Sequence, residues 1–368
     1  MKLGIEITPL TQQPTGIGYY TLHLLSALSA LPDCPEICGF SSGLHKPQTA
    51  DLPISFRRIA VPTRALYLCW RLFNAPKADA FLGGTDIYHA VNYVLPPLKK
   101  AAGVLTIHDL AFLAHPEWCS PKIVAPFRDA VTRHARRADR ILVPSEATRK
   151  DVLRFLDVAP DKIRVTPLAG DPSFFPMPRE EAEEQLREHL QLTGGFLLCV
   201  GTLEPRKNLP TLLRAFLKTD LPHKLVFVGG QGWGDALQAQ VPLSAQDKKR
   251  IVFTGYIRDR GLFPALYSAA TAFLFPSWYE GFGIPAVEAM ACGCPVIASD
   301  TSSLPEVAGS AALYAAPGDT DAWARAMEHL CADITLQEDL RQKSLAQAEA
   351  FSWEKCALAT MRCYKELL

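Results

Sequence analysis

Glu280-Gly-Phe-Gly-Ile-Pro-Ala-Val-Glu288 follows the apolar run Ala272-Phe-Leu-Phe-Pro276. The run reads as a buried strand and the stretch after it as a tight turn opening a helix. Pro285 suits the first helical turn, where its missing N–H would have no partner anyway. Gly281 and Gly283 let backbone N–H groups approach a ligand closely. A helix N-terminus with free N–H groups at the positive end of its dipole attracts phosphate. Two carboxylates beside a phosphate site are not there to hold the phosphate, so Glu280 and Glu288 read as acceptors for sugar hydroxyls. The plain alternative is a strand–turn–helix with two solvated acids.

A second segment has the same grammar. Phe196-Leu-Leu-Cys-Val200 is another apolar run, followed by Gly201-Thr-Leu-Glu-Pro-Arg-Lys-Asn208 and the helical pattern Leu209–Phe216. Arg206 and Lys207 thus stand in a loop at the carboxyl end of a strand, where open α/β sheets bind ligands. Arginine forks two phosphate oxygens and lysine acts as a point charge. A solvated basic loop is the ordinary alternative.

Together the two segments resemble the retaining glycosyltransferases of family 4. The carboxylate pair matches that family's E-x7-E motif, and Gly201–Leu209 its phosphate loop, in the form seen in bacterial polysaccharide mannosyl- and rhamnosyltransferases. Phe253-Thr-Gly-Tyr-Ile257 with Asp259 resembles the base-binding stretch, Ser303–Gly309 the stretch after the next strand, and Phe351–Glu354 the start of the terminal helix. The likeness is dense from Phe196 onward and looser before it. It departs at Thr202, where many members carry arginine, leaving the charge to Arg206 and Lys207.

The resemblance implies an α/β GT-B fold: two Rossmann-like parallel-sheet domains facing across a cleft, with the C-terminal helix crossing back to the first domain. The expected divisions are 1–168 on the acceptor side, 169–351 for the nucleotide sugar, and 352–368 for the terminal helix. The Pro- and Gly-rich stretch Pro167–Pro178 supports a linker there. Alternating strand-like and helical runs support parallel sheets. The expected strands are Leu3–Thr8, Glu36–Phe40, Phe56–Val61, Asp86–Ala90, Val104–Ile107, Arg140–Val143 and Lys162–Thr166, then Phe196–Val200, Lys224–Val228, Arg250–Thr254, Ala272–Phe275 and Val296–Ala298.

In the first half, Pro14-Thr-Gly-Ile-Gly-Tyr-Tyr20 opens a helix, and its Gly16 and Gly18 resemble the family's glycine loop. Thr21 breaks the G-x-G-x-x-G pattern, which counts against a dinucleotide site. His108 ends a strand where the family has a histidine facing the donor sugar. Its imidazole can donate a hydrogen bond to a hydroxyl or backbone group; a metal ligand, a general base and a structural histidine are the alternatives. Ser145 reads as an N-cap with Thr148 nearby. Arg64–Phe73 is aromatic, apolar and basic near both ends: either an interfacial helix touching a lipid-linked acceptor or, the more ordinary reading, a core-facing helix.

The resemblance assigns catalysis to His108, Arg206, Lys207 and Glu280. It assigns donor binding to Gly16, Gly18, Thr202, Tyr256, Ile257, Gly281, Phe282, Gly283, Ile284 and Glu288. The implied reaction moves a sugar, with GDP-mannose the favoured donor, to a hydroxyl of a glycan or lipid-linked acceptor with retention. No cofactor and no metal are expected, since the chain has no Asp-x-Asp motif or zinc spacing. A nucleotide-sugar epimerase or phosphorylase of the same architecture, a non-catalytic nucleotide-sugar-binding protein and a structural partner protein are the competing readings.

Composition bounds the rest. The 368 residues are 48% hydrophobic, which suits two cores. Net charge is zero, but residues 1–175 carry 20 Lys and Arg against 15 Asp and Glu. A basic first half suits an anionic partner or a membrane surface. No nucleic-acid partner is expected. The 10 cysteines read as reduced thiols, and no apolar stretch is long enough to span a bilayer. The expected location is cytoplasmic, with peripheral contact at the inner membrane surface left open.

Overall fold

Short apolar runs ended by glycine, proline or charge become the strands of two all-parallel sheets. The computed structural model describes residues 1–11, 16–49, 52–233 and 237–368; Pro14 and Thr15 of the glycine loop lie outside them. One compact unit comprises Met1–Ala114, Pro121–Leu168 and Ser352–Leu368, the other His115–Ser120 and Ala169–Phe351. The short segment His115–Ser120, placed in the first domain by the sequence, groups with the second unit.

The first unit holds β1 (Lys2–Glu6), β2 (Glu36–Ser42), β3 (Ser55–Ile59), β4 (Ile87–Ala90), β5 (Ala102–Thr106), β6 (Arg140–Val143) and β7 (Ile163–Val165). Their order is β3-β2-β1-β4-β5-β6-β7. β1 stops before the expected Thr8, because Pro9 cannot continue a ladder and Thr8–Thr11 turns into a short 3-10 helix. The terminal helix Trp353–Lys365 belongs to this unit and packs on the helix Gly16–Ser29. Trp353 stacks on His23 with centroids 5.2 Å apart. Tyr364 Oη meets His89 Nδ1 at 2.7 Å, and His89 Nε2 meets Thr106 Oγ1 at 2.7 Å. Burial holds His89 neutral, with its pKa down at about 3.

The helix Thr63–Phe73 faces the core on one side, with Trp70 beside the buried Phe40, centroids 6.0 Å apart, and solvent on the other. Only Leu66 is buried, while Leu68, Leu72 and Phe73 are 54%, 61% and 72% exposed. Arg64 and Arg71 are exposed beside them. The sequence pattern gave amphipathicity without saying which face would find a partner.

The second unit holds β8 (Phe196–Val200), β9 (Lys224–Val228), β10 (Ile251–Gly255), β11 (Ala272–Phe275), β12 (Val296–Ser299) and β13 (Ala312–Ala315), in the order β10-β9-β8-β11-β12-β13. Both faces of this sheet are covered, which is why its strands are nearly continuous apolar runs. Leu197, Leu225, Phe227 and Ile297 pack on one face with Leu212, Phe216, Trp323 and Met327. Leu198, Val226 and Phe273 are buried too, at the intervening positions. Truncating such a side chain to alanine costs about 2–5 kcal/mol. The sequence missed β13: Ala-Leu-Tyr-Ala has no β-branched residue, and its place at the sheet edge comes from pairing with β12.

Candidate functional site

In the second sheet the strand order reverses between β8 and β11. Ligands of doubly wound folds bind outside the carboxyl ends of the strands at such a switch point. The loop after β8 carries Arg206 and Lys207, and the loop after β11 carries Glu280. Topology therefore brings together residues 73 and more positions apart in the chain.

Local chemistry laces the two loops. Asn208, in the left-handed region at φ 54°, donates through Nδ2 to the carbonyls of Pro276 (3.0 Å) and Pro317 (2.6 Å). Trp278 N–H donates to Arg206 O at 2.9 Å. The Ser302 hydroxyl accepts from Glu280 N at 2.9 Å, and the Ser303 hydroxyl is shared between the carbonyls of Glu280 (2.9 Å) and Phe282 (2.8 Å). Gly283 has φ 108° and opens the helix Ile284–Ala291, and a Cβ there would stand 2.9 Å from Leu304 Cδ2. Gly229, after β9, is equally constrained: a Cβ would run into the Gly201 carbonyl.

The charged side chains form a closed cluster. Arg206 Nη1 donates to Glu280 Oε2 at 2.8 Å and to Tyr279 O at 2.8 Å, while its Nη2 donates to Glu204 Oε1 at 2.8 Å. Lys207 Nζ donates to Glu280 Oε1 at 2.7 Å and lies 5.1 Å from the Phe275 ring centroid. Burial alone would raise the Glu280 pKa, but the Arg206 and Lys207 charges and the Lys207 hydrogen bond bring it down to about 2. Glu280, expected to meet a sugar, and the two cations, expected to meet a diphosphate, are partners of one another in this structure.

Glu288 stands in a second group. Arg260 Nη2 donates to Glu288 Oε1 at 2.9 Å, and Arg260 Nε lies 3.4 Å from Asp171 Oδ2. The guanidinium lies beside the Phe174 ring, 5.2 Å from its centroid. Here burial wins: it pushes Glu288 up to about 7 although Arg260 pulls it down. Arg260 was not singled out by sequence, since one arginine in a loop carries no pattern. Glu204 and Asn208 lie within the phosphate-loop motif and Ser302 outside any motif; none was singled out because their partners come from tertiary contacts.

The remaining candidates are placed as follows. Tyr256 is 60% exposed beyond β10, and Ile257 beside it is half-buried. Thr202 is exposed at the start of the phosphate loop. Phe282 is buried edge-on against Phe351, centroids 5.4 Å apart. Gly281 is buried and Ile284 half-buried at the helix entrance. In the first unit, Gly16 and Gly18 lie in the first turn of Gly16–Ser29. His108, half-buried, sits edge-on to Tyr20 at 4.7 Å. Its Nε2 lies 2.9 Å from Val91 O, which can only accept, so Nε2 carries the proton. Burial lowers its pKa and favours the neutral ring. Of the two kinds of acceptor expected for its N–H, a sugar hydroxyl or a backbone group, the structure shows the backbone one, Val91 O. Ser145 accepts from Thr148 N at 3.0 Å, an N-cap. Among the described residues, no group of three or more His, Cys, Asp or Glu side chains is placed to hold a metal ion.

Two Rossmann-like sheets in one chain, with cations and an acid at the switch point of the second, define a glycosyltransferase of the GT-B architecture. Residues 194–333 match the family described as Glycosyl transferases group 1, and residues 14–174 match Glycosyltransferase Family 4. The chain is 33% identical to O-antigen chain mannosyltransferase B of Escherichia coli, with 100% of both chains covered. It is 25% identical to O-antigen chain mannosyltransferase RfbU of Salmonella typhimurium, covering 89% of this chain and 90% of that one. Sucrose-phosphate synthase from Thermosynechococcus elongatus superposes with a TM-score of 0.78 at 22% identity, over 100% of this chain and 99% of that one, a likeness of fold. The chain belongs to glycosyltransferase family 4 and is a hexosyltransferase.

Proposed function

We propose that this enzyme transfers mannose from GDP-mannose to a hydroxyl of a glycan or lipid-linked glycan in polysaccharide synthesis, with retention of anomeric configuration. The observation that carries the reading is the Arg206–Lys207–Glu280 cluster at the switch point, in a chain similar over its full length to an O-antigen chain mannosyltransferase. The incoming diphosphate competes with Glu280 for the two cations and recruits them. As the glycosidic bond breaks, negative charge grows on the leaving phosphate, and Arg206, Lys207 and the N–H groups around Gly283 stabilise it. Glu280, freed of part of its pairing, orients the donor sugar. Glu288 accepts from the ribose hydroxyls. The leaving phosphate takes the acceptor's proton on the same face, so no protein nucleophile is needed. The two cations supply the counter-charge, and no divalent metal is required.

The enzyme works in the cytoplasm, and the exposed face of Thr63–Phe73 meets the inner membrane surface. Leu68, Leu72 and Phe73 enter the headgroup boundary while Arg64 and Arg71 meet anionic lipid. Among the described residues no helix is long and apolar enough to cross a membrane.

A screen of nucleotide release with GDP-mannose, UDP-sugars and dTDP-rhamnose side by side tests the donor, and the anomeric coupling of the product tests retention. GDP-mannose turnover with an α-configured product is expected. A clear preference for a UDP-sugar overturns the donor, and an inverted product overturns the mechanism.

A further inference from the structure

Three of the chain's six tryptophans line one cavity of the second unit, a concentration that packing alone does not require. The cavity encloses about 310 Å³, at the lower end of the roughly 300–1,000 Å³ of small-molecule sites. Trp118 and Trp278 stack with centroids 5.7 Å apart and planes 18° apart. His115 lies over Trp118 at 3.8 Å, and Trp233 Nε1 donates to Trp118 O at 3.3 Å. All three tryptophans are half-buried. Trp323, by contrast, is fully enclosed, with its Nε1–H donated to Ala316 O. Tryptophans that only filled the core would look like Trp323.

The polar lining is neutral in balance. Glu204 is paired to Arg206 at 2.8 Å, and Asn208 has its amide N–H groups committed to two backbone carbonyls. Thr211, Gln231 and Arg214 remain on the wall, the arginine donating to Gln240 O at 3.3 Å. Flat aromatic faces with a few amide and hydroxyl groups suit a ligand that has one C–H-rich face and a rim of hydroxyls. A pyranose ring has that shape: its polarised C–H bonds meet the negative face of an indole while its hydroxyls take the amides. A phosphate would find little net charge here. The lining contains none of Glu288, Arg260, Tyr256 and Ile257, which separates it from the residues proposed for ribose and base. It does share a wall with the catalytic loop, because Trp278 N–H is bonded to Arg206 O and Glu280 is two residues further on.

We propose that the Trp118–Trp233–Trp278 cavity is a carbohydrate subsite that holds a neutral sugar unit of the growing glycan beside the donor site. The inference rests on the glycan-transfer reading above. It makes affinity for the acceptor depend on chain length, because a short acceptor reaches the reacting centre without filling this cavity.

The test uses the full chain and α-linked mannose oligosaccharides of two and five units as probes, without donor, read by intrinsic tryptophan fluorescence and calorimetry. GDP binding is measured in parallel. The expected result is saturable binding of the longer oligosaccharide, weakened about 10-fold by Trp233→Ala or Trp118→Ala and largely restored in Trp233→Phe, with GDP affinity unchanged in every variant. Unchanged GDP affinity also shows that the variants are folded. The proposal is overturned if wild type binds GDP but neither oligosaccharide, or if the alanine variants bind the longer one as well as wild type does. Loss of GDP affinity in Trp233→Ala with Trp233→Phe intact also overturns it, since the cavity would then belong to the nucleotide. Failure of every donor in the nucleotide-release screen would count against the transfer reading instead, and oligosaccharide binding is measured independently of it.

Discussion

Lys207 Nζ lies 2.7 Å from Glu280 Oε1, while Arg206 Nη1 takes the other carboxylate oxygen of Glu280 at 2.8 Å. The acid is 8% exposed, so each cation neutralises a buried charge in addition to the diphosphate role proposed for it. Removing one partner of a buried pair leaves an uncompensated charge and costs about 3–5 kcal/mol. Here the second cation shares the task, and the loss from one substitution is smaller than for an isolated pair.

Arg206→Ala and Lys207→Ala are each expected to lower transfer by about 10²–10³ in kcat while the protein stays folded. Circular dichroism and melting temperature, measured with turnover, separate the two effects. In a double-mutant cycle, Lys207→Ala combined with Glu280→Gln is expected to be less destabilising than the sum of the single changes, because the stranded charge is removed. Near-normal turnover in both alanine variants would remove the cations from the mechanism.

Turnover is expected to persist in excess EDTA, because in the proposed mechanism Arg206 and Lys207 supply the counter-charge that a divalent metal would otherwise give. Activity lost to chelator and restored by Mn²⁺ or Mg²⁺ would overturn that assignment.

All the strands but β13, and the two loops that follow β8 and β11, were legible because each is a local pattern: an apolar run, then glycine, proline or charge. Arg206, Lys207 and Glu280 could be singled out for that reason. Their mutual pairing could not, since it depends on β8 and β11 being neighbours at the switch point. Arg260 escaped notice because its meaning lies in Glu288 and Asp171, positions far apart in the chain. Helix Thr63–Phe73 shows the converse: its periodicity was visible, but solvent at Leu72 and Phe73 is a tertiary fact.

That exposed helix face carries the membrane prediction. The protein is expected to co-sediment with vesicles containing phosphatidylglycerol and much less with neutral phosphatidylcholine vesicles, and added salt should weaken binding. Leu72→Glu with Phe73→Glu is expected to abolish sedimentation and leave GDP affinity intact. Equal sedimentation of the double variant would move the contact elsewhere.

The two acids of the E-x7-E pair are expected to fail differently, in kinetics and in pH dependence. In the proposed roles, Glu280 contacts would tighten as charge develops at the anomeric carbon, so Glu280→Gln should mainly lower kcat; Glu288 bonds to the ribose would be similar in ground and transition states, so Glu288→Gln should mainly raise KM. Their titrations have opposite signs. Glu280 is held down at about 2 from an ordinary value of 4.5, so its stabilising charge is fully present above pH 4.5 and lost as pH falls through 2. Glu288 is held up at about 7, so its contribution is fully present below pH 4.5 and lost as pH rises through 7. Melting curves should therefore show Glu288→Gln gaining on wild type as pH rises from 4.5 to 7. Glu280→Gln should show its largest deficit above pH 4.5, shrinking as the medium is acidified. A donor affinity that falls in Glu280→Gln and survives in Glu288→Gln would reverse the two roles, whatever the melting curves show.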